Sequence, residues 1–296
     1  MDDLIKQIRN YLNLNQEELA ELLRVSFATV NRWENGHAMP GKLAQSALYE
    51  LCQKKNVPVH DMILNRIRES TKEIELDSKR TLLYHGSKSG ISGPIQPKSR
   101  SRCDFGKGFY MGTEPEQALT LICDYDKSKF YIVSIDTTEL EILDISANLD
   151  WAMIVAFHRG RMDSIQGTSL YQKYHDMTND KDLIVGSIAD DRMFYVIDNF
   201  FIGNITDTAL VHSLSALELG RQYVAVTQKA CDAIRVEREI TLSHLERQFL
   251  KDLATENRSK GVSFANEICR NYRREGLFFD EILDAAQREK LQEDKK

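Results

Sequence analysis

The chain has 296 residues, of which 42% are hydrophobic and 28% are charged, and its formal net charge is −6 at pH 7. This length suits about two domains with at least one sizeable core. No run approaches the roughly 20 apolar residues that a membrane-spanning helix needs, and the acidic, amphipathic opening is unlike a signal peptide, so we expect a cytoplasmic protein.

Residues 1–65 predict a small bundle of helices. Asn15, with Glu18 three residues later, forms a capping box at the start of a second helix. Ser26 can cap a third helix, Gly36 suits its left-handed end, and Pro40 opens a fourth. The positions expected to face inward in these three helices are Leu19, Ala20, Leu22, Leu23, Val30, Trp33, Leu43, Ala47, Leu48 and Leu51.

The string NQEELAELLRVSFATVNRWENG, followed closely by Pro40, resembles the helix-turn-helix family of phage repressors and Cro-like regulators. The resemblance implies that this segment binds double-stranded DNA, with the third helix in the major groove and Gln16 against phosphate. The residues presented to the groove would be Phe27, Ala28, Thr29, Asn31 and Arg32.

The charge of this segment leaves a second interpretation open. Residues 1–69 carry 9 basic and 9 acidic side chains, so binding to DNA gains little from counterion release. A bundle used only for dimerisation or partner docking is therefore an alternative. If the segment does bind DNA, dimerisation would offset the neutral charge, and we expect a homodimer.

Residues 66–80 are dense in charge and predict an exposed connecting helix or linker. Short β-like runs and helical stretches then alternate over residues 81–240, which predicts an α+β fold overall, with much antiparallel sheet. The predicted strands are 81–84, 108–111, 130–136, 140–144, 182–185 and 222–227. The predicted helices are 150–158, 192–201, 208–219 and one that Thr113 and Glu116 cap and that ends near Cys123.

Three strings in this second segment contain residues suited to chemistry. YHGS ends a predicted strand at His85 and Gly86, where the backbone can approach a ligand closely. GKGFY has a glycine loop before a strand that exposes Tyr110, and RQYVAVT begins a third strand with Gln222 near its start.

In this order the strings resemble the histidine, tyrosine and acid-or-amide triad of diphtheria-toxin-like and poly-ADP-ribose-polymerase-like ADP-ribosyltransferases. They are also similar to a bacterial family labelled a domain of unknown function. The resemblance implies a split β-sheet domain, NAD as substrate or ligand, and an unknown acceptor of ADP-ribose.

The resemblance also implies roles for individual residues. His85 would bond the adenine-side ribose, the Gly86 backbone would hold the nicotinamide amide, Tyr110 would stack on the nicotinamide ring, and Gln222 would reach the other ribose. The remaining residues expected around NAD are Ser87, Gly108 and, as partners of the pyrophosphate, Arg100, Arg102 and Lys107.

Cleavage of the nicotinamide–ribose bond passes through an oxocarbenium-like state, which electron-rich groups near the ribose stabilise. Gln222 stands where many active members carry glutamate, and an amide can bond a ribose but cannot take its proton. Asp191, beside Asp190, is the candidate carboxylate elsewhere, although two adjacent acids also suit a turn or a helix cap. His85 and Tyr110 equally suit a capped core histidine and a core tyrosine.

Residues 241–296 predict a charged helical extension with apolar side chains, such as Phe249 and Phe279, that must dock on some surface. The five scattered cysteines include no CxxC pair and predict no metal site. The sequence leaves three functions open: an NAD-dependent transferase with a DNA-binding regulatory domain, a transcriptional regulator that senses NAD or ADP-ribose without turnover, and a DNA-binding protein with an interaction module. Architecture alone suggests, by analogy, a toxin or phage-defence role with a companion antitoxin or regulator.

Overall fold

The computed structural model describes residues 2–188, 191–216, 220–272 and 275–293. Five helices come first in these residues, and a mixed sheet with helices follows. The first helices are α1 (Asp2–Tyr11), α2 (Gln16–Leu23), α3 (Phe27–Glu34), α4 (Lys42–Lys54) and α5 (Val59–Lys72). The strands are β1 (Arg80–Ser87), β2 (Phe109–Gly112), β3 (Lys129–Asp136), β4 (Ile142–Ile145), β5 (Leu183–Ser187), β6 (Arg221–Ala225) and β7 (Ile234–Thr241).

The later helices pack on the sheet, on the first bundle and on one another. They are α6 (Pro115–Ile122), α7 (Leu149–His158), α8 (Ser169–Thr178), α9 (Asp191–Phe201), α10 (Asp207–Ala216), α11 (Gln228–Asp232), α12 (His244–Asn271) and α13 (Phe279–Glu293). Within the described ranges, none of these helices combines the length and the apolar character needed to span a bilayer.

The predicted α+β fold is confirmed. The sheet has the strand order β4-β5-β6-β2-β1-β3-β7, and its described pairs are antiparallel except β4 with β5. That parallel pair is possible because α7 and α8 supply the long crossover that two parallel neighbours need.

The caps predicted for the first helices are present. Asn15 and Glu18 form the reciprocal capping box of α2, and the side chain of Ser26 accepts the N–H of Thr29 at the start of α3. Arg24 ends α2 in the left-handed conformation with φ 54°, a conformation that an L-residue adopts only with strain. Gly36 takes the left-handed conformation after α3.

Three local predictions are wrong. Leu22 is 54% exposed because it lies about 100° around the helix axis from the buried Leu23. Leu43 is 88% exposed because α4 begins only at Lys42, so this residue falls in the first turn. Thr113 does not cap α6, whose N-cap is Glu114; its hydroxyl instead accepts the N–H of Arg221 at 2.9 Å and ties β2 to β6.

The first bundle shares one hydrophobic core with α6, β1, β3 and the first half of α12. The Tyr49 and Phe249 rings lie 5.0 Å apart, and Arg66 forms an ion pair with the buried Glu246. The predicted apolar side chains of the C-terminal extension therefore dock on two places: Phe249 on the bundle, and Phe279 in a second core with α9.

Candidate functional site

The centre of the sheet contains a split between β1 and β2. In the described residues these strands pair at Tyr84 and Gly112, whereas β1 pairs with β3 along its whole length from Arg80 to Ser87. Beyond Tyr84, no strand in the described residues pairs with the edge of β1 that faces β2. This edge belongs to the predicted residues His85, Gly86 and Ser87, which pair with β3 on their other side, so only the main-chain groups that face β2 lack a described strand.

Side chains alternate between the two faces of the sheet, and the register assigns each predicted residue to one of them. Tyr84, Tyr110 and Gln222 project towards α6 and α7, on what we call the α6 face. His85 and Phe109 project to the opposite side, the α11 face. The sheet thus brings the predicted triad onto three adjacent strands, with the histidine ring on the other face from the tyrosine and the glutamine.

His85 spans the split. Its Nδ1 lies 2.7 Å from the carbonyl oxygen of Tyr110, and its ring stacks on that of Phe109 with centroids 4.1 Å apart. Burial lowers the pKa of His85, and the bond to the carbonyl only partly opposes this effect. Because a carbonyl only accepts, Nδ1 carries the proton, which leaves Nε2 of the neutral ring as a hydrogen-bond acceptor.

Tyr110 closes the glycine loop that precedes its strand. Its hydroxyl donates to the carbonyl of Gly106 at 2.7 Å and accepts the N–H of Phe105 at 3.1 Å. Burial raises the pKa of this phenol, so it stays protonated. The ring is partly buried against the core between the sheet and α7, and its position depends on the loop that its hydroxyl holds.

Gln222 lies opposite Gly112 in the row that contains Tyr84. It is only 7% exposed, and its Nε2 donates to the carbonyl of Ser187 at 3.2 Å. That carbonyl fixes the orientation of the amide, because Ser187 can only accept there. The Oε1 acceptor of Gln222 is therefore the end available to a ligand.

Gly86 permits a close approach between β1 and α6. A Cβ on this residue would stand 2.4 Å from the main-chain oxygen of Ala118 and 2.8 Å from the Ile122 side chain. Helix α6 can therefore lie directly over the strand only because residue 86 is glycine. Gly108 is comparable, since a Cβ there would meet Val224 on β6 at 2.4 Å.

The remaining predicted NAD ligands lie around this centre. Ser87 is half-buried at the end of β1, and Lys107 is exposed in the glycine loop. Arg102 is exposed, with its guanidinium 3.7 Å from the carboxylate of Asp163. Asp190 and the side chain of Asp191 lie outside the described residues. Among the residues described, no group of three or more His, Cys, Asp or Glu could hold a metal ion.

Two further side chains lie at this site. Gln117 on α6 has a buried Oε1 that accepts no hydrogen bond from the described residues and lies 3.6 Å from where a Cβ of Gly112 would stand. Glu114 places its Cγ 2.9 Å from where a Cβ of Gly220 would stand. No local pattern marks either residue, because their positions depend on the pairing of β2 with β6.

The predicted DNA-contacting residues occupy one end of the first bundle. Phe27, Ala28 and Arg32 are exposed on α3, whereas Thr29 and Asn31 are partly buried. Gln16, at the start of α2, donates to Glu34 at 2.7 Å and accepts from Asn31 at 3.2 Å.

A partly buried ion pair anchors this polar network. Arg9 donates to both oxygens of Glu34, at 2.6 and 3.0 Å. Burial alone would raise the pKa of Glu34, but the bonds from Arg9 and Gln16 outweigh it and hold that pKa below its usual value. The amide of Gln16 is thus used within the bundle, and its place at the first turn of α2 leaves its main-chain N–H for an anion.

Residues 81–236, more than half of the chain, match the family described as "Protein of unknown function (DUF3990)". The chain belongs to this family. The DUF3990 region contains the split, the glycine loop and strands β2 to β6. Residues 5–43 match a second family, described as "Helix-turn-helix", which supports a DNA-binding regulatory domain. No curated protein and no solved structure matches the chain.

Proposed function

We propose that the chain is an NAD-dependent ADP-ribosyltransferase with a DNA-binding regulatory domain. The observation that carries the proposal is the placement of His85, Tyr110 and Gln222 on adjacent strands, around the point where β1 and β2 part. A dinucleotide needs acceptors for its ribose hydroxyls, main-chain groups for its carboxamide and an aromatic face for its ring. Groups of these three kinds lie around the split, with the His85 ring on one face of the sheet and Tyr110 and Gln222 on the opposite face.

Each group suits one part of the ligand. The Nε2 of the neutral His85 accepts a ribose hydroxyl, and the free edge of β1 at Gly86 offers main-chain bonds to the nicotinamide amide. Tyr110 and Gln222 share the α6 face with Gly86, so that the ring and the amide Oε1 lie on one side of the sheet. Lys107 and Arg102 are exposed cations beside the loop and suit the pyrophosphate.

The test is nicotinamide release from NAD by the purified full-length protein, with cell extract as the source of acceptors. His85→Ala and Tyr110→Ala should each lower the rate by at least ~100-fold. The matched control is His175→Ala, an exposed histidine on α8, which should release nicotinamide at the wild-type rate. Tyr110→Phe should be less impaired than Tyr110→Ala, because it retains the ring. A wild-type protein that releases no nicotinamide would refute the transferase.

A second candidate is a transcriptional regulator that binds NAD or ADP-ribose without turnover. Two observations favour it: Gln222 has no carboxylate, and the first bundle shares its core with α6, the helix that covers Gly86. Ligand binding at the split would then reach the DNA-binding helices through packed side chains. Titration of a DNA fragment selected by the protein from a random pool, with and without NAD, separates this candidate from a plain DNA-binding protein.

For the DNA-binding domain we propose a homodimer that presents the exposed face of α3 to the major groove. Arg32→Ala should weaken binding of the selected fragment by about 1–3 kcal/mol at constant salt. Arg68→Ala, an exposed arginine on α5, is the control and should leave the affinity unchanged. Equal affinities for the Arg32 variant and the wild type would contradict the proposed groove contact.

A further inference from the structure

Glu114 is a carboxylate placed next to the glutamine of the site. It is the N-cap of α6, its side chain is exposed, and the cap makes no side-chain hydrogen bond. No described residue forms a hydrogen bond or an ion pair with its carboxylate. A charged group without a structural partner, at the edge of a split sheet, is available for a ligand.

The contact between Glu114 and Gly220 places this carboxylate on the same side of the sheet as Gln222. Gly220 precedes Gln222 by two residues, so the two share a side of the strand and stand about 7 Å apart along it. The Cγ of Glu114 lies over Gly220 on this α6 face. The carboxylate therefore borders the position that the Oε1 of Gln222 can reach.

Gln117 completes a group of three acceptors. It lies one turn after Glu114 on α6, and its buried Oε1 is beside Gly112, the cross-strand neighbour of Gln222. A buried acceptor without a donor costs free energy unless a ligand or water completes it. We call Glu114, Gln117 and Gln222 the acceptor cluster. It suits a ligand with several hydroxyl donors and a developing positive charge, such as a ribose that loses a cationic leaving group.

Building on the proposed function, we propose that Glu114 is the catalytic carboxylate of this site and supplies the negative charge that Gln222 cannot carry. The bond between N1 of nicotinamide and C1′ of the ribose breaks, and its electron pair leaves with nicotinamide, which becomes neutral. The ribose carries the positive charge as an oxocarbenium ion. A hydroxyl of the acceptor, or water in hydrolysis, bonds to C1′ and gives its proton to Glu114.

The exposure of Glu114 fits this role. Gln222 is buried and bonds the ribose, whereas the nucleophile must arrive from solvent and must meet a base when it does. A carboxylate at the rim of the acceptor cluster stands where both conditions hold.

The experiment measures kcat and KM for nicotinamide release by Glu114→Gln in the full-length protein. We expect kcat to fall by ~10²–10⁴-fold with little change in KM for NAD. The control is Glu116→Gln, on the same helix, whose carboxylate already accepts from Asn257 at 2.6 Å and which should keep the wild-type kcat. The substitution is mild for the fold because the side chain of Glu114 makes no capping bond.

A rescue variant separates catalysis from a structural role. Glu114→Gln combined with Gln222→Glu returns a carboxylate to the cluster, and it should release nicotinamide at least ~10-fold faster than Glu114→Gln alone. If the wild type releases nicotinamide and Glu114→Gln matches it, the assignment of Glu114 is overturned and the transferase stands. If the wild type releases none, both proposals fall.

Discussion

The helix-turn-helix bundle and the DUF3990 region differ in how completely their polar groups are paired. In the helix-turn-helix bundle, hydrogen bonds link Arg9, Glu34, Gln16 and Asn31, and side chains cap the N-termini of α2 and α3. Among the described residues of the DUF3990 region, the edge of β1 beyond Tyr84 has no strand partner, and the buried Oε1 of Gln117 has no hydrogen-bond donor.

The bundle therefore offers a ligand a preformed surface, whereas the split sheet offers it unpaired polar groups. The linked polar side chains of the bundle are already paired, so DNA would meet a preformed surface that includes the exposed Phe27, Ala28 and Arg32. In the part of the chain that the structure describes, the polar groups at the split lack the hydrogen-bond partners that buried and strand-edge groups normally have. A ligand that forms hydrogen bonds with these groups removes the free-energy cost of leaving them unpaired.

The largest predicted effect comes from breaking the ion pair between Arg66 on α5 and Glu246 on α12. Glu246→Ala leaves Arg66 without its partner at the start of α12, and we expect the free energy of unfolding to fall by about 3–5 kcal/mol. Glu256→Ala on the same helix removes only an exposed pair with Lys260 and should change little. Urea unfolding of both variants checks the prediction, and equal stabilities would show that the ion pair between Arg66 and Glu246 does not stabilise the protein.

The same pair predicts a pH dependence. Burial alone raises the pKa of Glu246, but Arg66 and the bonds from Ser243 outweigh it, so the folded-state pKa lies below its usual value. The stabilisation is therefore present above the unfolded pKa of about 4.3 and is lost as pH falls through the lower folded value. Wild-type stability should fall more steeply than that of Glu246→Gln between about pH 5 and 3; parallel curves would contradict it.

The next effect concerns the close contact between Gly86 on β1 and helix α6. Gly86→Ala puts a Cβ 2.4 Å from the main-chain oxygen of Ala118, which cannot move without shifting α6. We expect a loss of about 1–3 kcal/mol in stability, together with weaker NAD binding. Gly41→Ala, with nothing within 4 Å of the added carbon, should cost less than about 1 kcal/mol. Thermal unfolding and calorimetric titration with NAD compare the two.

The sequence predicts the bundle more completely than the site for a physical reason. Asn15 and Ser26 cap helices through residues three positions away, so a local pattern contains the whole interaction. The prediction fails locally at Thr113, because a strand 108 residues away takes its hydroxyl.

The site depends on pairings that span the chain. The strings around His85, Tyr110 and Gln222 identify candidate residues, but only the register shows which share a face. Glu114 and Gln117 carry no signal of their own, since their relevance comes from the strand laid beside them. The predicted domain limits and the individual site roles stay predictions.

A smaller effect tests the N-cap of α3 in the bundle. Ser26→Ala removes the hydroxyl that accepts the N–H of Thr29, and it should cost about 1 kcal/mol. The control is Ser215→Ala in α10, where the hydroxyl bonds to the helix's own carbonyl and alanine is a better helix former. Chemical denaturation that finds the two variants equally stable would argue against the cap.

The smallest effect relieves strain between α2 and α3. Arg24→Gly should raise the free energy of unfolding by up to about 1 kcal/mol, because glycine adopts φ 54° without a Cβ penalty. Arg24→Ala removes the same charge and keeps the strain, so it should not stabilise the protein. A gain of equal size in both variants would assign the effect to charge instead.

Amide hydrogen exchange with and without NAD tests the central claim most directly. We expect slower exchange in peptides that span residues 85–87 and 109–112 when NAD is present, with no direct protection of α3 residues 27–34. Unchanged exchange at both strands under saturating NAD would contradict the claim that the split between β1 and β2 is where this protein holds a dinucleotide.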